Sequence, residues 1–434
     1  MNIYAWIAML GIIFLTLLPL VKKVNRSKEE IRKAIITIVI VLGIIVAVLV
    51  FNVNYPLALI VGFIAMILFD KKTYSKKYLI MYASLILVVG IIGYLFVRDN
   101  PDYVLNHLKD NPQTTSLYVA ENDVKLITYH SDVVRPLAST VKMLIAVEYA
   151  RQIDAGILTK DNPVSLNDLK RYYFKIDNAH EEWLKTMNSE GKVKNNEVTL
   201  HDVAKGMITY SSNANTDFII DVLGTANINE RAKSLGLTQH EEIYPIVSAL
   251  LISKRTENKS MSEKQLIQKI NEMPMEAYRS TVTELSEQMK KGSITFEDTS
   301  LDISMNLQRL WSDRLIGASA NDYGKLLAII SNDELPGEAT DIARDLLEWP
   351  MQHNKGNHER FVHLGAKGGS TAFVLNNAIY AENNNGDKIE LVILTDDLNF
   401  LQRLLLTNNI NSFESKLLGS KDYRLKVQKE LSES

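Results

Sequence analysis

The chain has 434 residues, with 48 basic and 51 acidic side chains, a formal net charge of −3 and no cysteine. A nearly balanced charge gives no indication of a nucleic-acid partner. The lack of cysteine excludes disulfides, thiolate catalysis and cysteine-held metals. The length suggests more than one folding unit, and the composition changes sharply near residue 99.

Apolar runs without charge dominate the first hundred residues. They are Ile3–Val21, Ala34–Phe51, Pro56–Phe69 and Tyr78–Val97. Three of them approach the ~20 residues that a bilayer requires. The third run is shorter, so a re-entrant segment is an alternative there. The pattern predicts a four-span α-helical membrane region over residues 1–99.

The charged connections between these runs predict their orientation. Residues 22–33 carry six basic side chains and residues 70–77 carry four, whereas residues 52–55 carry none. Because basic loops stay in the cytoplasm, the chain beyond residue 97 is expected outside the cell. We therefore predict a multi-pass plasma-membrane protein, in contact with the lipid bilayer, whose residues 100–434 form an extracytoplasmic domain.

Within residues 100–434, strand patterns occur near both ends and helical patterns lie between them. Strands are predicted at Ser116–Ala120, Val124–Tyr129, Ser370–Glu382 and Lys388–Thr395, and helices from about Ser139 to Ile153 and from about Leu398. Strands from both ends around a helical middle predict an α+β fold. Its antiparallel sheet is built from both ends of the domain and packs against a helical subdomain.

Ser139 and Lys142 form a Ser-x-x-Lys motif at the start of a strongly apolar helix. Residues three apart on a helix share a face, so an uncharged lysine amine can take the proton of the serine hydroxyl. The helix N-terminus adds N–H groups where an oxyanion would form. A second match, at residues 189–192, lies in polar sequence and is interpreted as chance. The first motif predicts an acyl-transfer nucleophile.

Two further motifs follow in the chain. Ser211-Ser212-Asn213 separates two apolar helical stretches, and Lys367-Gly368-Gly369-Ser370 is expected to open a strand. A lysine-activated serine needs a proton relay to the leaving group and positive charge near the substrate. Residues of these two motifs can supply both.

In these three motifs and their order, the chain resembles the penicillin-recognising active-site serine enzymes, and within them the class A β-lactamase-like serine hydrolases. The resemblance covers about residues 110–400. It implies a nucleophile, its base, a proton relay, a hydrogen-bond partner and a source of positive field, which are Ser139, Lys142, Ser211, Asn213 and Lys367 in that order. It further implies an oxyanion and substrate site at Ser139, Gly369, Ser370 and Thr371. No cofactor and no metal are implied.

Two departures from that family affect the predicted chemistry. Gly368 stands where the family usually carries a hydroxyl that helps to bind a substrate carboxylate. The Glu-x-x-Leu-Asn motif that supplies a deacylating glutamate is absent, and Glu241 and Glu242 are the candidate replacements. If neither acts, the acyl-enzyme is long-lived, and a D-Ala-D-Ala-type peptidase or esterase is favoured over a β-lactamase.

Three functions remain open from the sequence. The leading one is a membrane-anchored serine hydrolase that accepts β-lactams or peptidoglycan stem peptides outside the cell. The second is a slowly deacylating sensor of β-lactams or of the cell wall, which signals through the membrane helices to a partner protein. The third is a wall-binding module without catalysis, which the presence of both serines and both lysines disfavours.

Overall fold

The computed structural model describes residues 100–173, 178–254, 258, 260–293 and 304–433. The strands are β1 (Thr115–Glu121), β2 (Val124–Tyr129), β3 (Val134–Pro136), β4 (Pro163–Ser165), β5 (Glu197–Thr199), β6 (Gly317–Ser319), β7 (Phe361–Ser370), β8 (Leu375–Asn383) and β9 (Lys388–Thr395). The α-helices are α1 (Pro101–Asp110), α2 (Lys142–Asp154), α3 (Leu166–Lys170), α4 (Ala179–Ser189), α5 (Leu200–Thr209), α6 (Asn213–Leu223), α7 (Thr225–Ser234), α8 (Ile246–Ala249), α9 (Glu263–Asn271), α10 (Met275–Lys290), α11 (Met305–Asp313), α12 (Ala320–Ser331), α13 (Ala339–Leu347), α14 (Trp349–His353), α15 (Phe400–Gly419) and α16 (Lys421–Ser432). Short 3₁₀ helices cover Ala138–Val141, Leu250–Lys254 and Lys355–Glu359.

The main sheet in the described part is antiparallel, with the strand order β2-β1-β9-β8-β7. The central pairing joins β1 to β9, so strands from both ends of the domain lie side by side, with Ser116 opposite Leu394. This arrangement confirms the predicted α+β domain and its sheet. The first two strands form the hairpin that their alternating sequence predicts.

Helices pack on both faces of this sheet. On one face, α2 runs through the larger hydrophobic core, and its residues 143–147 are fully buried. Helix α12 crosses the same face, where a Cβ at Gly324 would lie 2.2 Å from the Tyr118 ring, so only glycine permits this approach. On the other face, α1 and α15 close a second core. The first face carries the motif residues.

The third motif lies at the end of a strand, not at its start. β7 runs from Phe361 to Ser370, and the next strand begins only at Leu375. The predicted strand Ser370–Glu382 is therefore wrong at its first residues. A hairpin connection at 371–374 separates the two strands, and the N–H of Thr371 donates to the carbonyl of Val374 at 3.0 Å. Glycines at 365, 368 and 369 hide the β7 pattern, because glycine is depleted in strands.

The membrane part of the predicted fold is corrected by the structure. No helix in the described ranges combines the length and the apolar composition that crossing a bilayer requires. Even α15, with 20 residues, carries Arg403, Glu414 and Lys416. The runs 3–21, 34–51, 56–69 and 78–97 lie outside the described residues. On this finding, which covers the described residues alone, the four-span fold class and the multi-pass plasma-membrane location are corrected to the α+β domain.

Candidate active site

Ser139 lies in a short 3₁₀ turn that leads directly into α2. The turn covers Ala138–Val141, so Ser139 precedes the α-helix itself. The N–H of Leu137 donates to the carbonyl of Ile316 at 2.9 Å, which ties the turn to the segment before β6. Ala138 has φ +48°, a left-handed conformation that costs energy for a residue with a Cβ. Backbone strain is thus stored immediately before the predicted nucleophile.

Lys142 brings the first and second motifs together. Its side chain is fully buried, and its Nζ donates to the carbonyl of Ser211 at 2.6 Å and to Asn213 Oδ1 at 2.8 Å. The same Nζ lies 3.3 Å from Ser211 Oγ. An amine held by several acceptors keeps one orientation, which proton transfer between fixed groups requires.

Ser211 occupies the connection between α5 and α6 in a strained conformation. Its φ of +58° is left-handed, which is uncommon for a residue other than glycine, asparagine or aspartate. The helix that follows is capped by Ser212, whose Oγ accepts from the N–H of Asn215 at 3.3 Å. Asn213 is the first residue of α6. The strained connection therefore presents the Ser211 hydroxyl and the Asn213 amide to Lys142.

Lys367 reaches the same hydroxyl from the sheet. Its Nζ donates to Ser211 Oγ at 3.1 Å and to the carbonyl of Gly368 at 2.8 Å. Only 5 % of this residue is exposed. Burial lowers the pKa of Lys367 from its ordinary 10.5 to about 7, because the charged form is poorly solvated there. One hydroxyl thus lies between two buried lysine amines.

A cleft of about 220 Å³ opens beside this network. It is lined by Ala138, Ser139, Ala179, Tyr210, Ser211, Asn213, Ile246, Trp311, Leu315 and Ser370. Residues of all three motifs contribute to its walls, although more than 200 positions separate the first from the last. The volume suits part of a small molecule or one segment of a peptide.

The end of β7 forms one edge of the cleft. A Cβ at Gly369 would lie 2.3 Å from the carbonyl oxygen of Leu137 and 2.7 Å from the N–H nitrogen of Thr140, so the strand touches the nucleophile turn through its backbone. Ser370 is exposed and lines the cleft. Thr371 is not among the lining residues, and its Oγ1 shares a hydrogen bond of 2.8 Å with Ser312 Oγ.

Neither candidate deacylation base lines the cleft. Glu241 Oε2 accepts from the N–H of Gly317 at 2.9 Å, and its own N–H donates to the carbonyl of Gly317 at 2.8 Å. The carboxylate of Glu242 is largely exposed and lies 3.4 Å from Arg279 Nη1. The structure therefore leaves these two residues out of the cleft lining and gives each a partner of its own.

Sequence reasoning missed the apolar wall formed by Ile246. This residue starts α8, and the N–H groups of Ile246, Val247 and Ser248 donate to the buried carboxylate of Asp217 at 2.7, 2.9 and 3.4 Å. Burial raises the pKa of Asp217 to about 6, and these N–H groups oppose the rise. An isolated isoleucine carries no sequence signal of a site, whereas an aspartate four residues after Asn213 was a usable clue.

The described residues do not converge on a metal site. No group of three or more His, Cys, Asp or Glu side chains in these ranges is arranged to hold a metal ion. The chemistry available at the cleft is that of hydroxyl, amine and amide groups. These groups can perform nucleophilic attack and proton transfer.

Three comparisons relate the chain to known proteins. Solved structures with a similar backbone include a mutant of PBP-A in an acyl-enzyme complex with penicillin G (18% identity, 73% of this chain and 95% of that chain, TM-score 0.44). A second is a β-lactamase from Sphaerobacter thermophilus DSM 20745 (15% identity, 74% of this chain and 97% of that chain, TM-score 0.46). A third is a class A β-lactamase from Bacteroides cellulosilyticus DSM 14838 (14% identity, 78% of this chain and 100% of that chain, TM-score 0.43). No curated protein matches the sequence. The model of the Beta-lactamase enzyme family matches residues 102–412, most of the chain, which therefore belongs to that family.

Proposed function

We propose that this protein is an active-site serine hydrolase in which β-lactams or peptides resembling peptidoglycan stem peptides acylate Ser139. One observation carries the proposal. The Ser211 hydroxyl lies 3.3 Å from the Lys142 amine and 3.1 Å from the Lys367 amine, at a cleft that Ser139 also lines. Two apolar residues would stabilise the fold better than two lysines buried around one hydroxyl, so the lysines indicate a functional role.

In the proposed acylation, the Ser139 oxygen bonds to the substrate carbonyl carbon and its proton passes to the uncharged amine of Lys142. Two positive charges so close together are unfavourable, which favours the uncharged form of one amine. Collapse of the tetrahedral intermediate breaks the bond to the leaving nitrogen. Ser211 gives its proton to that nitrogen, and Lys142 returns one to Ser211.

Backbone N–H groups and Lys367 would stabilise the charge that develops. The proposed oxyanion donors are the N–H groups of Ser139 and Ser370, each contributing about 2.7–4 kcal/mol by the usual effect of removing such a donor. Lys367 in its charged form supplies a positive field at Ser211 and attracts an anionic substrate. Asn213 holds Lys142 in place through its Oδ1 atom.

Covalent labelling tests the nucleophile. Full-length protein is incubated with a penicillin and its intact mass is measured; we expect one adduct per chain. Ser139→Ala should abolish the adduct, because the proposal assigns the nucleophile to the Ser139 hydroxyl in the cleft wall and the proton relay to Ser211. Ser189→Ala removes the serine of the second Ser-x-x-Lys match and should leave labelling unchanged. An adduct that persists in Ser139→Ala would exclude Ser139 as the nucleophile.

We further propose that the acyl-enzyme is hydrolysed slowly, so that the protein binds β-lactams more readily than it destroys them. None of the cleft-lining residues in the described ranges carries a carboxylate, and Ile246 contributes an apolar side chain to the cleft wall. Glu241 and Glu242 are engaged with Gly317 and Arg279. Turnover of a peptide or ester substrate would then require an acceptor that attacks the acyl-enzyme more readily than water, such as an amine.

Single substitutions on the cleft wall test this second proposal. Ile246→Glu should speed release of the penicilloyl group by about 10²-fold, because a positioned base typically contributes 10²–10⁴-fold. Ile246→Gln, of matched size but without a base, should not. Glu241→Gln and Glu242→Gln should leave release unchanged within about twofold. Thermal unfolding checks that each variant folds, and rapid steady hydrolysis of nitrocefin by the native protein would contradict the proposal.

A further inference from the structure

A second cavity, of about 390 Å³, lies among β1, β2, β9 and α12. Its lining residues are Tyr118, Ala120, Asp123, Lys125, Gly236, Thr238, Asn321, Asp322, Lys325, Ala328 and Glu390. None of them lines the cleft that contains Ser139. The acylation chemistry makes no use of this cavity.

A buried carboxyl group with an unused oxygen forms part of the cavity wall. Glu390 lies on β9 between Ala120 of β1 and Tyr380 of β8, and only 1 % of it is exposed. Its Oε2 atom has no hydrogen-bond partner within the described part of the chain. Burial raises the pKa of Glu390 to about 7. The neighbouring Ser331 hydroxyl opposes this rise in pKa. One oxygen of the acid still has no partner, and an unpaired buried oxygen beside a cavity can accept a donor from a ligand.

Two exposed lysines lie on the same cavity, on different elements. Lys125 Nζ donates to Asn321 Oδ1 at 2.8 Å and lies 5.8 Å from the centre of the Tyr118 ring. Lys325 Nζ donates to the carbonyl of Gly236 at 3.3 Å. Both ammonium groups thus contact neutral acceptors, which an anion can replace at little cost.

The two aspartates in the lining are already engaged. Asp123 Oδ1 accepts from Asn332 Nδ2 at 2.7 Å, and Asp322 Oδ2 accepts from the N–H of Gln239 at 2.8 Å. Among the acids of the lining, Glu390 alone has an oxygen without a partner in the described residues, so it is the acid best placed to accept from a ligand, and the two ammonium groups are placed to donate to one. This combination matches a molecule with a positive end and a negative end, and not a simple cation or anion.

We propose that this cavity binds a small zwitterion, an amino acid or dipeptide, whose ammonium group donates to Glu390 and whose carboxylate pairs with Lys125 and Lys325. The buried acid recognises the ammonium, and the exposed lysines recognise the carboxylate. Tyr118 supplies an aromatic wall beside them. The site is independent of Ser139 and of the hydrolase chemistry.

Calorimetric titration of the full-length protein with alanyl-alanine tests this site. We expect saturable binding that weakens at least about tenfold when the probe is N-acetylated or amidated, since each change removes one charged end. Glu390→Gln and Lys325→Ala should each weaken binding by a similar factor. Glu382→Gln, on β8 outside the cavity lining, is the matched control and should bind as the native protein does.

The outcomes separate clearly. No saturable heat with the native protein, or equal binding by the N-acetylated probe, overturns the proposal. Unchanged binding by a folded Glu390→Gln variant overturns it as well. If that substitution prevents folding, Lys325→Ala decides, because the exposed Lys325 can be shortened without disturbing the core. Loss of binding in Lys325→Ala with retention in Glu382→Gln supports the site, whatever the labelling of Ser139 shows.

Discussion

The two faces of β7 bury titratable groups of opposite kind. On the cleft face, Lys367 has two acceptors, Ser211 Oγ and the carbonyl of Gly368. On the other face, Gly368 pairs with Asn377 of β8, whose amide donates to the buried Glu414 of α15 at 2.8 Å. Burial lowers the pKa of Lys367 to about 7 and raises that of Glu414 to about 8. Near neutral pH, burial therefore favours the uncharged form of Lys367 on one face and of Glu414 on the other.

The difference lies in what each face contacts. The lysine face meets the backbone of the nucleophile turn at Gly369. On the Gly368 face the close neighbour is the Asn377 side-chain amide, and the carbonyl of Asn376 lies at an ordinary 3.5 Å from a Cβ at Gly368. A substitution on the first face should therefore change the rate of acylation. A substitution on the second face should change only the stability of the fold. Substitutions at adjacent positions of one strand can test this separation.

The largest effect is expected from Gly369→Ala. Its Cβ would lie 2.3 Å from the carbonyl oxygen of Leu137, so the turn that carries Ser139 must move. A displacement near 1 Å can cost about 10² in rate, and overpacking typically costs about 1–3 kcal/mol of stability. Rates of covalent labelling by a penicillin and the unfolding temperature measure both losses.

Gly368→Ala is the matched substitution. Its Cβ would meet Asn377 Oδ1 at 2.6 Å, the end of a side chain and not backbone, so Asn377 can shift at some cost to its hydrogen bond with Glu414. Labelling should stay within about threefold of the native rate, as expected for a change that touches no fixed group. Equal losses in the two alanine variants would show that the two faces of β7 are not separate.

The second effect concerns the charge of Lys367. Because burial lowers its pKa to about 7, the charged form is lost as pH rises through that value. Labelling by an anionic penicillin should then fall by up to about tenfold per pH unit above pH 7, if the positive field assists acylation. Asp217, with a pKa raised to about 6, titrates on the acid side of this range.

Lys367→Arg distinguishes Lys367 from other titrating groups. A guanidinium keeps its charge across this range, so the decline above pH 7 should disappear, even if the absolute rate is lower. Labelling rates between pH 6 and pH 9, with an anionic and an uncharged substrate, provide the measurement. An alkaline decline of the same steepness in Lys367→Arg would assign it to another group.

Motif order in the sequence predicted which residues the fold brings together. Ser211 and Lys367 are 156 positions apart, and the resemblance that their motifs carry implied the pairing that the structure shows as a hydrogen bond. The alternating pattern likewise predicted the β1–β2 hairpin. Local patterns predict structure and site residues where a residue type in a given spacing has one common role, as with a serine and a lysine three positions apart at the start of an apolar helix.

Features that depend on tertiary contact were beyond the sequence. Ile246 looks like an ordinary core residue, and only the hydrogen bonds to Asp217 place it on the cleft wall. β7 was missed because its glycines serve contacts with Thr140 and Tyr380, which no local pattern encodes. Glu390 and Glu414 are buried, although charged side chains are seldom fully buried and no local pattern marks these two. In each case the partner lies far away in the chain.

The smallest expected effect is on the Glu414 face and concerns stability alone. Its pKa is about 8 in the folded protein, against an ordinary 4.5. Between these values the folded state binds more protons than the unfolded state, so this group's contribution to stability is present at acid pH and is lost as pH rises. Glu414→Gln removes that dependence. Relative to the native protein, the variant should gain at least about 1.4 kcal/mol between pH 5 and pH 8.5, equivalent to one pKa unit.

Urea unfolding of the full-length proteins at the two pH values measures this gain, with Glu382→Gln at the end of β8 as the control. Labelling of Ser139 should be unchanged in both variants, because the hydrogen bond of Glu414 goes to Asn377 and not to Ser139, Ser211 or Lys367. A change in labelling with Glu414→Gln would mean that the buried acid acts through Gly368 on Lys367. A pH dependence equal to that of the native protein would mean that Glu414 is ionised in the fold, and the contrast between the two faces of β7 would then rest on Lys367 alone.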